Sequence, residues 1–256
     1  MLRTFDLKCR TAALSVYCDW AAYLHGYLME SLPEDVAVAS HASGLRPFSQ
    51  YILPESGGFR WRISCWGDRI SEAFSELVPE GAAFFLRQKG ADILVEAREV
   101  SSITDKQLFS RFFLSEEPVA RLFELRLLTP CAHRSGNAYV LFPSAELIMN
   151  SLYRRFCTFA EVLSIEDEAV QHEITASVRI ARYALRSAVY HIEGGGITGY
   201  TGSLILRIDG NAQLARLAGM LLSFAPYAGV GAKTALGMGA CTISANPSTR
   251  HTVSDA

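Results

Sequence analysis

Four glycines fall within eleven residues near the end of the chain, in Phe224-Ala-Pro-Tyr-Ala-Gly-Val-Gly-Ala-Lys-Thr-Ala-Leu-Gly-Met-Gly239. A run this dense lets the main chain take φ > 0 and leaves N–H groups bare, so that backbone alone can grip an anion. Lys233 adds a mobile positive charge at the same place and Thr234 a hydroxyl. The chemistry these residue types offer is the holding of phosphate. Upstream, Leu214, Leu217, Ala218, Leu221 and Leu222 recur at helical spacing, and downstream Ala240 to Ala245 reads as a short strand. A Walker loop runs from strand to helix and needs Gly-x-x-x-x-Gly-Lys-Ser/Thr. Here the order is reversed and Ala232 precedes Lys233-Thr234, so a nucleoside triphosphatase is excluded. The dinucleotide fingerprint fails too, because Thr234 stands where its third glycine belongs.

Proton-transfer chemistry near neutrality points to the six histidines. His251 lies in the polar tail, and His172 and His191 bracket a strand. His133 follows Thr129-Pro130 in an expected loop, and His25 has the spacing of a helix-packing residue. His41 sits in a loop just before Arg46-Pro-Phe-Ser49. The acidic patch Glu166-Asp-Glu168 has no ligand spacing and reads as a solvated loop or helix end, so no metal site is expected.

The elements that must position these residues occur in the same order twice. In the first half, Arg3 to Val16 reads as a strand and Asp19 to Leu32 as a helix stopped by Pro33. Arg46 to Leu53 and Phe59 to Cys65 read as strands about a Gly57-Gly58 turn. Ser71 to Leu77 is a short helix, and Ala82 to Val100 one or two strands. In the second half, Arg121 to Thr129 is a strand and Pro143 to Phe156 a helix with Pro143 near its first position. Glu173 to Tyr190 pairs with Tyr200 to Ile208 about Gly194 to Gly196, before the Asn211 helix and the last strand. The expectation is an α+β chain of two tandem ferredoxin-like (βαββαβ, RRM-like) domains at 1–117 and 118–245, with a polar tail at 246–256. The join is placed in the polar stretch Ser101 to Glu117.

Composition narrows the class. At 256 residues and 50% apolar content the chain can bury large cores, and no apolar run approaches a membrane span. The six cysteines are scattered, with neither zinc spacing nor a disulfide framework, which suits a reduced, cytoplasmic protein. The net charge of −2 argues against a general polyanion binder. Arginine nevertheless outnumbers lysine twenty to four, and arginine makes two-pronged phosphate contacts that lysine cannot.

The closing Gly-Val-Gly-Ala-Lys-Thr-x-x-Gly-Met-Gly resembles the C-terminal signature of the CRISPR-associated endoribonucleases that process repeat RNA, within the RAMP superfamily. Phe123-Glu-Leu-Arg-Leu-Leu-Thr-Pro130 and Gly136-Asn-Ala-Tyr-Val-Leu-Phe-Pro143 resemble the opening of that family's second domain. Gly199-Tyr-Thr-Gly202 resembles its Gly-x-x-Gly strand entry, and His41 with Arg46-Pro-Phe-Ser49 resembles a segment of its first domain. The resemblance implies metal-free cleavage of the repeat transcript by the RNA's own 2′-hydroxyl, leaving a 2′,3′-cyclic phosphate and a 5′-hydroxyl. It implies repeat RNA (precursor crRNA) as partner and no cofactor, and leaves effector-complex subunits and a homodimer open.

By that resemblance Gly229, Gly231, Lys233, Thr234, Gly237 and Gly239 contact RNA. As basic residues Arg134, Arg182 and Arg186 are candidates to line an RNA path in the second domain, against the ordinary reading of a solvated charged face. Arg182 and Arg186, an even number apart, share a strand face, and Arg154, Arg155 and Arg179 are further basic candidates. His41 is the implied general base or acid, and Arg46 is the candidate for charge stabilisation on the phosphate. Tyr27 is the candidate to orient the nucleophile or donate a hydrogen bond, against the reading of a packed tyrosine. Two other readings compete. His41-Ala-Ser43 and His133-Arg-Ser135 resemble the paired motifs of 2H phosphodiesterases, though both fall in Gly- or Pro-flanked loops. A non-catalytic RNA-binding subunit of the same superfamily would keep the loop and the fold and leave His41 incidental.

Overall fold

The computed structural model describes residues 1–37, 44–161 and 165–247. Alternation of apolar and polar residues in β1 (Leu2–Arg10) sends Phe5, Leu7 and Cys9 into a core and leaves Asp6 and Lys8 outside. Helix α1 (Trp20–Ser31) covers that core with Trp20, Ala21, Leu24 and Leu28. The strands β2 (Phe48–Glu55) and β3 (Gly58–Trp66) form the expected hairpin, and α2 (Asp68–Leu77) follows. A short β4 (Ala83–Leu86) folds back on the long β5 (Ala91–Ile103). The sheet order is β2-β3-β1-β5-β4, antiparallel throughout, which is the ferredoxin-like arrangement with one added edge strand.

The stretch expected to be a polar join is ordered. After β5, Thr104 caps α3 (Asp105–Phe113) through a reciprocal pair of hydrogen bonds with Gln107. Leu108, Phe109, Phe112 and Phe113 give this helix an apolar side that packs into the second domain's core. Those residues were overshadowed by the polar ones around them.

The second domain opens with β6 (Leu122–Cys131) and a small hairpin of β7 (His133–Ser135) and β8 (Ala138–Val140), so His133 is on a strand and not in a loop. Ser144 caps α4 (Ala145–Phe159), which leaves Pro143 ahead of the helix rather than at its first position. Helix α5 (Glu168–Ser177) follows, and β9 (Val178–Ile192) and β10 (Gly195–Ile208) form a long hairpin. Glu173 to Ser177, expected as strand, is helical because Asp167 accepts the Ala169 and Val170 amides and Ile174 reaches the core. The acidic patch is thus a helix start. Helix α6 (Ala212–Ala228), capped by Asn211, leads through the glycine segment to β11 (Cys241–Ala245). The order β11-β6-β10-β9 repeats the ferredoxin-like sheet. The fold is therefore α+β with tandem ferredoxin-like domains.

The domains share apolar surface. Leu2, Trp66 and Ile103 belong to the same core as Phe156 and Phe224, and the Trp66 ring stacks on Phe159 at 5.1 Å. No helix among the described residues is long and apolar enough to cross a membrane.

Candidate active site at the domain junction

The glycine segment runs between the two domains and is fastened to both. Gln50 of β2 donates through Nε2 to the carbonyls of Ala21 on α1 and Ala235 on the segment, each at 2.9 Å, while its Oε1 accepts Trp61 Nε1 at 2.6 Å. From the other side Tyr190 of β9 reaches the Leu236 carbonyl (2.6 Å), and Thr129 of β6 donates to that of Gly237 (2.7 Å). Gly237 has φ +102°, and a Cβ there would strike the Tyr190 hydroxyl and Ala21. Gly239, at φ +67°, lies against the Val230 carbonyl. These glycines are required because side chains from both domains close on Gly237 and the segment's own main chain closes on Gly239.

This corrects the expectation of a loop with bare N–H groups. Gly231 donates to Ser151 Oγ (3.1 Å), Ala232 to the Ala132 carbonyl (2.8 Å) and Gly239 to that of Pro130 (2.9 Å). Gly229, Val230, Leu236, Gly237 and Met238 also donate within the segment or to α6. The amides of Lys233, Thr234 and Ala235 carry no hydrogen bond to a described residue. Lys233 is the one residue of the segment other than glycine with positive φ (+60°), which swings its exposed side chain outward.

Beside the segment lies a cleft of about 680 Å³. Its walls are α1, the stretch Gly44 to Arg46, the β7–β8 hairpin, one face of α4 and the segment from Gly231 to Leu236. The charges on those walls are Arg46, Arg134, Arg154, Arg155 and Lys233, with no carboxylate among the described lining residues. Such a wall attracts and concentrates anions.

The expected residues divide around this cleft. Gly231, Lys233, Thr234, Arg46 and Arg134 border it, whereas Gly229, Gly237 and Gly239 are buried behind it. Arg182 and Arg186 keep regular register on β9 and share an exposed face, but away from the cleft. Arg179 is paired with Asp209 at 2.6 Å. His41 lies outside the described residues, as does His251. Tyr27 does not border the cleft: its ring stacks on Phe84 of β4 at 4.0 Å, and burial raises its hydroxyl's pKa. Its helical neighbour two places earlier, His25, borders the cleft instead and stacks on Phe48 at 5.6 Å. Residues two apart on a helix face nearly opposite ways, so only one of them could.

His133 also borders the cleft from a buried position, its Nε2 2.9 Å from the Tyr200 hydroxyl and 3.8 Å from Cys131 Sγ. Burial pushes its pKa down to about 4, so the ring is neutral at physiological pH. Burial likewise pushes the Cys131 thiol up to about 12, and all six cysteines are free thiols. Sequence reasoning passed over Ser151, Thr234 Oγ1 as a buried group, and the particular position of Arg155. The spacing of Ser151, Arg154 and Arg155 at i, i+3 and i+4 did place them on one helical face.

Two tandem ferredoxin-like domains with a cationic cleft at their junction, beside the glycine segment, define a two-domain α+β protein with a site suited to an anionic ligand. Residues 125–241 match the family described as CRISPR-associated endoribonuclease Cas6. A Mycobacterium tuberculosis protein of that name is 30% identical over 224 residues, spanning 86% of this chain and 70% of the relative. One from Streptococcus thermophilus is 25% identical over 221 residues, covering 86% and 90%. The chain belongs to the Cas6 family of CRISPR-associated endoribonucleases. In fold it is similar to a solved Cas6 product complex (TM-score 0.76, 23% identity, 95% and 99% of the two chains covered). It is similar also to Thermus thermophilus Cas6 (TM-score 0.69, 22% identity, 95% and 98% covered). Family membership excludes the 2H phosphodiesterase reading.

Proposed function

We propose that this chain cuts CRISPR repeat RNA (precursor crRNA) at one phosphodiester by metal-independent internal transesterification. The 2′-oxygen attacks phosphorus as its proton leaves to a base, and the 5′-oxygen departs with a proton from an acid. A 2′,3′-cyclic phosphate and a 5′-hydroxyl result. Such a reaction brings its own nucleophile and asks the protein for proton transfer and charge stabilisation. The observation that carries the reading is the cationic cleft, to which both domains contribute and which has no carboxylate among its described lining residues. Arg46 and Lys233 would neutralise the phosphate from opposite walls, and Arg134 would hold the flanking backbone. Contacts of this kind position RNA without reading its sequence. His41 would serve as base or acid; its role rests on the family resemblance and on Gly44 to Arg46 bordering the cleft. Relatives of similar fold are described as product and substrate-mimic complexes, and one as a RAMP protein binding different RNA substrates.

The test is incubation with the repeat RNA of the protein's own locus in EDTA, beside a substrate bearing one 2′-deoxy at the scissile position. A single cut that survives EDTA and vanishes with the 2′-deoxy supports the reading. Tight binding without cleavage would instead make the chain an RNA-holding subunit, and a cut abolished by EDTA would overturn the metal-independent route.

A further inference from the structure

Helix α4 touches the glycine segment at Ser151 and carries Arg155 one turn further along the same face, at the wall of the cleft. Arg155 is 6% exposed, yet it makes no ion pair or hydrogen bond with any described residue, and its Nη1 is buried without a partner. The charge acting on it is another cation, Arg154, and burial lowers the guanidinium to about 10. It therefore stays protonated at neutral pH. Across the same cleft Thr234, 1% exposed, has a buried hydroxyl that is also without a partner.

A buried charge that lacks a counter-ion weakens the fold, and native chains seldom keep one without a use. Two residues with orphaned buried donors, one of them cationic, line a space with no carboxylate in its described lining. We propose that Arg155 and Thr234 form a phosphate seat, Nη1 and Oγ1 donating to the non-bridging oxygens of a single RNA phosphodiester. The inference rests on the reading that this cleft takes RNA. Its further content is that Arg155 is kept for the ligand at a cost to the free protein.

The experiment compares the wild-type chain with Arg155→Met, Arg155→Lys and Thr234→Val in two measurements. One is the thermal midpoint without RNA; the other is affinity for the locus's repeat RNA across a salt series. Arg155→Met should match or exceed the wild-type midpoint and bind roughly 10- to 100-fold more weakly, the range for a lost charged hydrogen bond. Its salt dependence should also flatten by about 0.7 in log–log slope, as expected for one phosphate contact on single-stranded RNA. Arg155→Lys should keep the slope and lose part of the affinity, and Thr234→Val should weaken binding a few-fold. Substrates with one neutral methylphosphonate, moved linkage by linkage, should reveal a position that matters to wild type and not to Arg155→Met.

Lowered midpoints with unchanged affinity and slope would make Arg155 a packing residue and overturn the seat while leaving the cleft's assignment intact. If Arg155→Met does not fold, unchanged binding by the Lys and Val variants would overturn the seat on its own. Absence of RNA binding by the wild type would overturn both readings.

Discussion

Arg46 and Lys233 come from different domains and line one cleft. Lys233 holds a left-handed backbone conformation that costs a side-chain-bearing residue about 1 kcal/mol. Lys233→Gly should therefore raise the urea midpoint slightly while weakening repeat RNA several-fold, and equilibrium denaturation beside a binding curve checks both halves. His41→Ala should slow cleavage by roughly 10²- to 10⁴-fold, the usual worth of a proton-transfer group, with affinity retained. Single-turnover kinetics against binding separates the two. His133 gives the fold a pH dependence whose sign is fixed by its depressed pKa. The neutral ring's contribution is fully present above the unfolded value near 6.5 and is lost as pH falls toward about 4. That contribution is on the order of 3 kcal/mol. Denaturation at pH 7 and pH 5 should show a smaller loss for His133→Gln than for wild type.

Among the elements, the glycine segment does two jobs through different residues. Gly229 and Gly239 let the segment close on itself and Gly237 lets Tyr190 and Ala21 approach from the two domains, while Gly231 to Leu236 line the cleft. Gly237→Ala combines an unfavourable φ with a clash against Tyr190 and Ala21. A loss of about 2–4 kcal/mol follows from overpacking added to backbone strain. Chemical denaturation measures it, and an unchanged midpoint would mean that the junction yields easily. Helix α4 is the other contributor: its Ser151 anchors the segment and its next turn delivers Arg154 and Arg155.

At the scale of the molecule, the two domains are joined by one apolar core as well as by polar fasteners. Trp66, Leu2 and Ile103 pack with Phe156 and Phe224, and α3 bridges to α6, where Arg216 donates to the Phe112 carbonyl. The domains should unfold together. Trp20 and Trp61 lie in the first domain's own core and Trp66 in the shared core, so fluorescence of a Trp66→Phe variant reports the first domain while far-ultraviolet circular dichroism reports both. Coincident transitions are expected; two separated midpoints would show that the shared core does not couple the domains.

Hydropathic alternation and helical spacing sufficed for the repeated βαββαβ order, since each strand and helix buries one face of its own sequence. The glycine motif was legible as a family mark, because residue type and spacing define it locally. What sequence could not say was which glycines border the cleft and which are packed against protein, since that depends on Tyr190, Ala21 and Gln50 arriving from distant stretches. Nor could it choose His25 over Tyr27 at the cleft, because a helix's rotation about its axis is set by the sheet on which it packs. The start of α5 was misread because one cap residue, Asp167, decides it against an otherwise strand-like run. That Arg155 has no partner among the described residues is the furthest from sequence, because it depends on where the other charges of the fold are placed.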